Sequence, residues 1–183
     1  MNWLIISDIH GSVETLKKAL HYFQSEACGR LIILGDILYH GPRNPIPQGY
    51  NPQAVVALLN EMKEQIIAVR GNCEAEVDQM LLDFPCMADY SQLFDQDIPF
   101  FLTHGHIYSE QHLPSLPSGS VFMQGHTHLW TLKRQDQTVI CNPGSITLSK
   151  ENRPATFALY RDSNLSIRRL SDNEVLASLQ IRE

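Results

Sequence analysis

The feature that most constrains this chain is a set of short apolar runs, each stopping at a polar cluster. Residues 3–6, 31–34, 66–69, 100–102 and 121–123 are apolar, and runs of this kind read as strands buried on both faces. They are followed by Asp8-Ile9-His10, Gly35-Asp36, Gly71-Asn72, His104-Gly105-His106 and Gly125-His126-Thr127-His128. Asp, His and Asn supply the oxygen and nitrogen atoms that divalent cations bind. Five such clusters, each at a strand end, predict one metal site assembled from remote segments.

The spacing between the runs sets the fold class. Ser12 predicts a helix N-cap, with Val13, Leu16, Leu20 and Phe23 about a turn apart behind it. Cys28-Gly29 ends that helix, and a second strand is expected over 30–34. Asn51-Pro52 opens a second helix with proline at its first position, before a third strand over 66–69. Strand–helix–strand spacing implies parallel pairing with right-handed crossovers. After a short helix at 76–82 the strands crowd together: 100–103, 121–124, 129–134, 139–142, 157–161 and 165–170. Polar turns at 135–137 and 162–164 read as hairpins, so the second half predicts a largely antiparallel or mixed sheet. The loop 36–51, with Pro42, Pro45 and Pro47, is long for an ordinary connection, which marks a functional loop or a stiffened surface excursion.

Composition narrows the class of partner. At 183 residues, 43% hydrophobic and 19% charged, the chain reads as one globular domain over 1–183. No apolar stretch approaches the ~20 residues of a bilayer span, and no basic segment precedes the first run; a cytoplasmic protein without membrane contacts is expected. The net charge of −6 argues against a long nucleic acid, which needs a basic face, but bound cations would reverse the sign locally for a small phosphate ester. Cys28, Cys73, Cys86 and Cys141 lack CxxC spacing and read as free thiols.

The donors have a chemistry of their own. Asp8 with His10, and His126 with His128, are two apart, so on an extended end each pair shares a side. Asp36 can give one oxygen to each of two ions. Asn72 adds a neutral carbonyl, and His104 completes the set. Seven side chains with one shared carboxylate give two ions four protein ligands each, leaving positions for water and substrate as a catalytic site requires. Mixed imidazole and oxygen donors suit Mn²⁺ first, then Fe²⁺, Co²⁺, Ni²⁺ or Zn²⁺.

In this order the motifs resemble the calcineurin-like metallophosphoesterase superfamily. The compact length, Gly71-Asn72-Cys73-Glu74 and Asn142-Pro143-Gly144-Ser145 resemble its small bacterial phosphodiesterase branch, the YfcE family. The resemblance implies an α/β fold, a four-layer α-β-β-α sandwich of two facing mixed sheets flanked by helices. It implies two cations, one held by Asp8, His10, Asp36 and His128, the other by Asp36, Asn72, His104 and His126. The reaction expected is hydrolysis of a small phosphodiester by a hydroxide shared between them, with Asp36, Asn72 and His106 as catalytic residues. Arg43, Asn44 and Cys73 are expected to meet the substrate.

Cys73 stands where many superfamily members have histidine. A thiol with an ordinary pKa near ~8.5 is a poor acid for a leaving group at neutral pH, which favours diesters over monoesters. Glu74 is expected either to accept an N–H from a ligand residue or to open the following helix. Rival readings are a phosphomonoesterase, a cyclic-nucleotide phosphodiesterase, or a scaffold of the same fold like the retromer subunit. Exposed strands in the second half leave room for a homodimer or tetramer.

Overall fold

The computed structural model describes residues 2–182. Among the described residues, eleven strands form two sheets. The first three are parallel: β1 (Asn2–Ile6), β2 (Cys28–Ile33) and β3 (Ile66–Ala68). They are joined by helices α1 (Val13–Ser25) and α2 (Pro52–Asn60). A six-residue helix, α3 (Glu76–Leu81), then leads to β4 (Tyr90–Asp95), β5 (Ile98–Thr103), β6 (Val121–Met123), β7 (Thr131–Gln135) and β8 (Thr138–Asn142). The chain closes with β9 (Thr156–Arg161), β10 (Asn164–Arg169) and β11 (Val175–Gln180).

The six-stranded sheet runs β11-β10-β9-β1-β2-β3 and the five-stranded sheet β4-β5-β6-β8-β7. Both are mixed, as expected. The second-half strands do not all share one sheet, however: β9, β10 and β11 extend the first sheet antiparallel to β1. Three smaller differences have local causes. β2 begins at Cys28 rather than Arg30, because Asn2 pairs with Cys28 once Ala27, at φ 49°, has ended α1. β4 and β11 escape the apolar-run criterion because they are edge strands with alternating exposure.

Period-two alternation assigns every central strand to two cores. From β1, Trp3 and Ile5 point between the sheets, while Leu4 and Ile6 point at the helices. β2 divides likewise, Ile32 inward against Leu31 and Ile33 outward, and so does β9, with Ala158 and Tyr160 against Phe157 and Leu159. The rings of Trp3, Phe100 and Tyr160 meet between the sheets at centroid distances of 4.8, 4.8 and 5.1 Å. Leu16, Ala19 and Phe23 of α1 with Val55 and Leu59 of α2 cover the outer face of the six-stranded sheet. On the outer face of the five-stranded sheet, Phe101, Phe122 and Ile140 are covered by Tyr108, Leu113 and Leu116 from an irregular segment. That layer of the sandwich is loop, since the prolines at 114 and 117 and the glycine at 119 interrupt any helix there. No helix among the described residues is long and apolar enough to cross a membrane.

β5, β6 and β8 are parallel to one another, as are β1, β2 and β3. All five polar clusters follow the C-terminal ends of such strands, where open α/β sheets place their ligands.

Candidate metal centre

Asp8 and His10 follow β1, Asp36 follows β2, Asn72 follows β3, His104 follows β5, and His126 and His128 follow β6. Five of these seven hold positive φ without being glycine: Asp8 56°, His10 48°, Asp36 55°, His126 67° and His128 62°. Such backbone is costly and gathers at functional sites. Hydrogen bonds between the loops hold it there: Asp8 N–H to Gly35 O, His10 N–H to Asp36 O, and Gly125 N–H to His104 O. Close approach fixes two glycines. A Cβ on Gly71 would lie 2.1 Å from Asp36 Oδ1, and one on Gly125 would lie 1.9 Å from Ser7 Oγ.

The imidazoles are aimed by the backbone. Nδ1 of His10 meets Tyr39 O at 2.8 Å, Nδ1 of His104 meets Leu34 O at 2.6 Å, and Nδ1 of His128 meets Leu148 O. Each carbonyl requires a proton on Nδ1, which leaves Nε2 as a donor atom for a cation. These Nε2 atoms converge. His10 Nε2 is 3.3 Å from His128 Nε2, 3.6 Å from Asp8 Oδ1 and 3.6 Å from Asp36 Oδ2. His104 Nε2 is 3.5 Å from Asp36 Oδ1 and 3.1 Å from Asn72 Oδ1. His128 Nε2 is 3.2 Å from Asp8 Oδ1. Asp36 therefore turns one oxygen to each of two imidazoles.

This centre consists of electron-pair donors facing one another. Asp8 Oδ1 is fully buried and accepts no hydrogen bond, an omission that native interiors rarely tolerate. Positive charge is what the arrangement lacks, and divalent cations fit it. The pKa directions agree. Burial opposes charge on Asp8, yet the neighbouring imidazoles of His10 and His128 hold its carboxyl well below the usual range. Burial likewise opposes protonation of His10, but Asp8 raises it.

His126 joins the site differently. Its N–H donates to Asp8 Oδ2 at 3.1 Å and its ring lies 5.1 Å from that of His104, but it is outside the tight donor clusters among the described residues. Burial and then His104 lower its pKa. His106 packs 5.4 Å from His104 and 6.3 Å from His126 by ring centroids. Burial and then those two rings lower its pKa also.

A cavity of about 460 Å³ opens over the centre. Asp36, Asn72, Cys73, His126 and His128 line it together with Arg43 and Asn44 from the 36–51 loop. The long loop thus belongs to the site. Asn44 spends its amide on His40 O at 2.8 Å, shaping the loop. His106 does not line this cavity. Cys73 does: its N–H donates to Asp36 Oδ1 at 2.9 Å, and burial followed by Asp36 pushes its thiol far above the usual range. Glu74 accepts N–H groups from Asp36 at 2.9 Å, Ile37 at 2.6 Å and Gly71 at 2.5 Å. Of the two roles considered for it, the N–H acceptor is the observed one. Burial and then Asp36 raise it to about 7.

Sequence reasoning missed Lys150 and Thr127, which also line the cavity. It also missed the strap that ties the Asp8–His10 loop to the His126–His128 loop. Asn142 Nδ2 donates to Gly125 O and Thr127 Oγ1 at 2.9 and 3.0 Å, and Ser145 Oγ donates to Asp8 O at 2.8 Å. Thr147 Oγ1 donates to Ile9 O at 2.9 Å. The Asn142-Pro143-Gly144-Ser145 run was the available signal.

Comparison with known proteins agrees with this geometry. The model of the calcineurin-like phosphoesterase superfamily domain matches residues 1–164. Phosphodiesterase YfcE of Escherichia coli K12 is 41% identical over 181 residues, 99% of this chain and 98% of that protein. The solved structure of the E. coli YfcE phosphoesterase superposes with TM-score 0.98 over all of both chains. Vacuolar protein sorting 29 of Cryptosporidium parvum, at 16% identity, shares the fold with TM-score 0.66, covering 98% of this chain and 97% of its own. The chain belongs to the calcineurin-like phosphoesterase superfamily.

Proposed function

We propose that the protein is a phosphodiesterase that works with two divalent cations, Mn²⁺ first among them, bridged by Asp36. The observation that carries this reading is the split of the Asp36 carboxylate, with Oδ2 toward His10 and Oδ1 toward His104. Asp8, His10, Asp36 and His128 would hold one ion; Asp36, Asn72, His104 and His126 would hold the other. When bound, such ions supply a nucleophilic hydroxide at neutral pH and draw off charge gathering on the phosphoryl oxygens.

The chain's own residues do the rest. The carbonyls of Tyr39, Leu34 and Leu148 fix the tautomers and aim of His10, His104 and His128. Arg43 can meet an oxyanion of the substrate through its planar fork, with Asn44 shaping the loop that carries it. Burial and then Asp36 disfavour a Cys73 thiolate, so Cys73 is neither the nucleophile nor a ready acid for the leaving oxygen. That favours diesters over alkyl monoesters. His106 is a neutral positioning residue packed against two ligand rings. The high identity to a named phosphodiesterase supports the same substrate class here.

The test compares bis(4-nitrophenyl) phosphate with 4-nitrophenyl phosphate, with and without Mn²⁺. The diester should be preferred and turnover should need metal. Asp36→Asn and His128→Ala should each lose more than ~100-fold, beyond the ~10–100-fold typical of a residue that merely orients a ligand. Undiminished activity in Asp36→Asn would end the bridging assignment.

A further inference from the structure

The cavity carries more positive charge than a simple diester uses. Arg43 and Lys150 line it from separate segments, one in the loop after β2 and one beyond β8. Both are exposed, and neither has an ion-pair or hydrogen-bond partner on its side chain among the described residues. In a chain of net charge −6, they place two unpaired cations on the wall of the cavity that opens over the metal centre. Two divalent cations bound there would be offset by Asp8, Asp36, a hydroxide and the single negative charge of a phosphodiester. Arg43 and Lys150 remain over.

The lining is also notable for what it offers a substituent. Apart from the histidines, no aromatic ring lines the cavity among the described residues. Tyr39, the nearest in sequence, packs its ring on His40 with centroids 4.8 Å apart and is not part of the wall. No phenylalanine, tyrosine or tryptophan offers a base a stacking platform there. Polar groups predominate instead, and about 460 Å³ leaves room beyond the scissile phosphoryl group.

We propose that the substrate is a phosphodiester with a non-aromatic alcohol bearing a second oxyanion, held by Arg43 and Lys150. This rests on the phosphodiesterase reading and specifies its substrate. Arg43 offers two parallel N–H donors to a carboxylate or phosphate, and Lys150 a mobile point charge.

The experiment uses four 4-nitrophenyl phosphodiesters that differ in the other alcohol: ethyl, choline, thymidine and 2-carboxyethyl. The carboxyethyl ester should have a KM ~10-fold or more below that of the ethyl ester, about one charge-assisted hydrogen bond. The advantage should shrink as salt rises. In Arg43→Ala and Lys150→Glu the KM ratio of the two esters should fall toward one, and Lys150→Arg should restore it. Since both side chains are exposed, neither change threatens folding.

A second arm needs no turnover. Calorimetric binding of glycerol 3-phosphate, the probe for the oxyanion, should weaken at least ~5-fold in Lys150→Glu. Equal KM values for the ethyl and carboxyethyl esters, a preference for the thymidine or choline ester, or unchanged glycerol 3-phosphate binding would overturn the proposal. Failure to hydrolyse any of the four would instead strike the phosphodiesterase reading, leaving calorimetry to decide the role of the two cations.

Discussion

At the scale of single residues, the site is governed by what each side chain cannot do. Asp8 Oδ1 cannot find a proton donor in the folded chain, the Nε2 atoms cannot donate while Nδ1 serves a carbonyl, and Gly125 cannot carry a side chain. The last is the sharpest constraint. Gly125→Ala puts a methyl group 1.9 Å from Ser7 Oγ, and Ser7 donates to Asp8 Oδ2 at 2.7 Å. Something must move, and what moves carries Asp8 with it. We expect about 1–3 kcal/mol of destabilisation in urea unfolding, together with weaker Mn²⁺ binding by calorimetry. A variant with wild-type stability and affinity would mean that the loop is more pliant than its hydrogen bonds imply. At this scale the sequence was informative where chemistry resides in side-chain type. All seven proposed ligands are at strand ends, and six of them bring side-chain polar atoms within 3.6 Å of a side-chain atom of another member. It was silent on Tyr39, Leu34 and Leu148, because the groups they contribute are main-chain carbonyls that every residue possesses.

At the scale of elements, the strap after β8 decides whether the two halves of the site face each other. Asn142 ties the His126–His128 loop, and Ser145 ties the Asp8–His10 loop. Asn142 is buried, so Asn142→Ala leaves the Gly144 N–H without a partner, at about 1–3 kcal/mol, and strips Gly125 O of one of its two donors. Metal affinity should fall ~10–100-fold, as when a group that orients a ligand is lost. Parallel measurement of unfolding free energy and metal binding checks both; a stability loss with unchanged affinity would make the strap a fold element only. Elements with strong periodicity were readable: α1 behind Ser12, α2 behind Asn51-Pro52, and the central strands. The edge strands β4 and β11 were not, because half of each faces water and its pattern matches that of a loop. Lys150 was hidden for a similar reason: a lysine in an irregular segment looks like any surface lysine until the fold brings it over the cavity.

At the scale of the whole molecule, two sheets with parallel central strands bring five strand ends to one edge, so fold stability and site geometry are linked. One tie far from the site fastens the end of α1 to β10 and to the turn that follows it. Glu26 accepts Asn173 Nδ2 at 2.8 Å, Arg168 at 2.9 Å and Arg161 at 3.0 Å. The Asn173 hydrogen bond, and then the two arginines, lower its pKa. A carboxylate lowered on folding stabilises above its unfolded pKa and loses that contribution as pH falls through the folded value. Glu26→Gln should therefore cost about 1 kcal/mol near pH 7, discounted for partial exposure, and the gap to wild type should close as pH drops below the ordinary glutamate range. Urea unfolding at pH 7 and pH 3 checks this; a gap that widens in acid would reverse the assigned sign. The facing sheets followed from the family resemblance, whereas the sharing of second-half strands between both sheets did not. Strand patterns specify which face is buried, not which neighbour is chosen.

The central claim is that these seven side chains surround two cations. Anomalous diffraction from crystals soaked in Mn²⁺ tests it most directly. Two manganese peaks should appear per chain, with Asp36 contacting both and ligand atoms at about 2.0–2.3 Å. A single peak, or peaks that leave Asp36 on one ion only, would contradict the account.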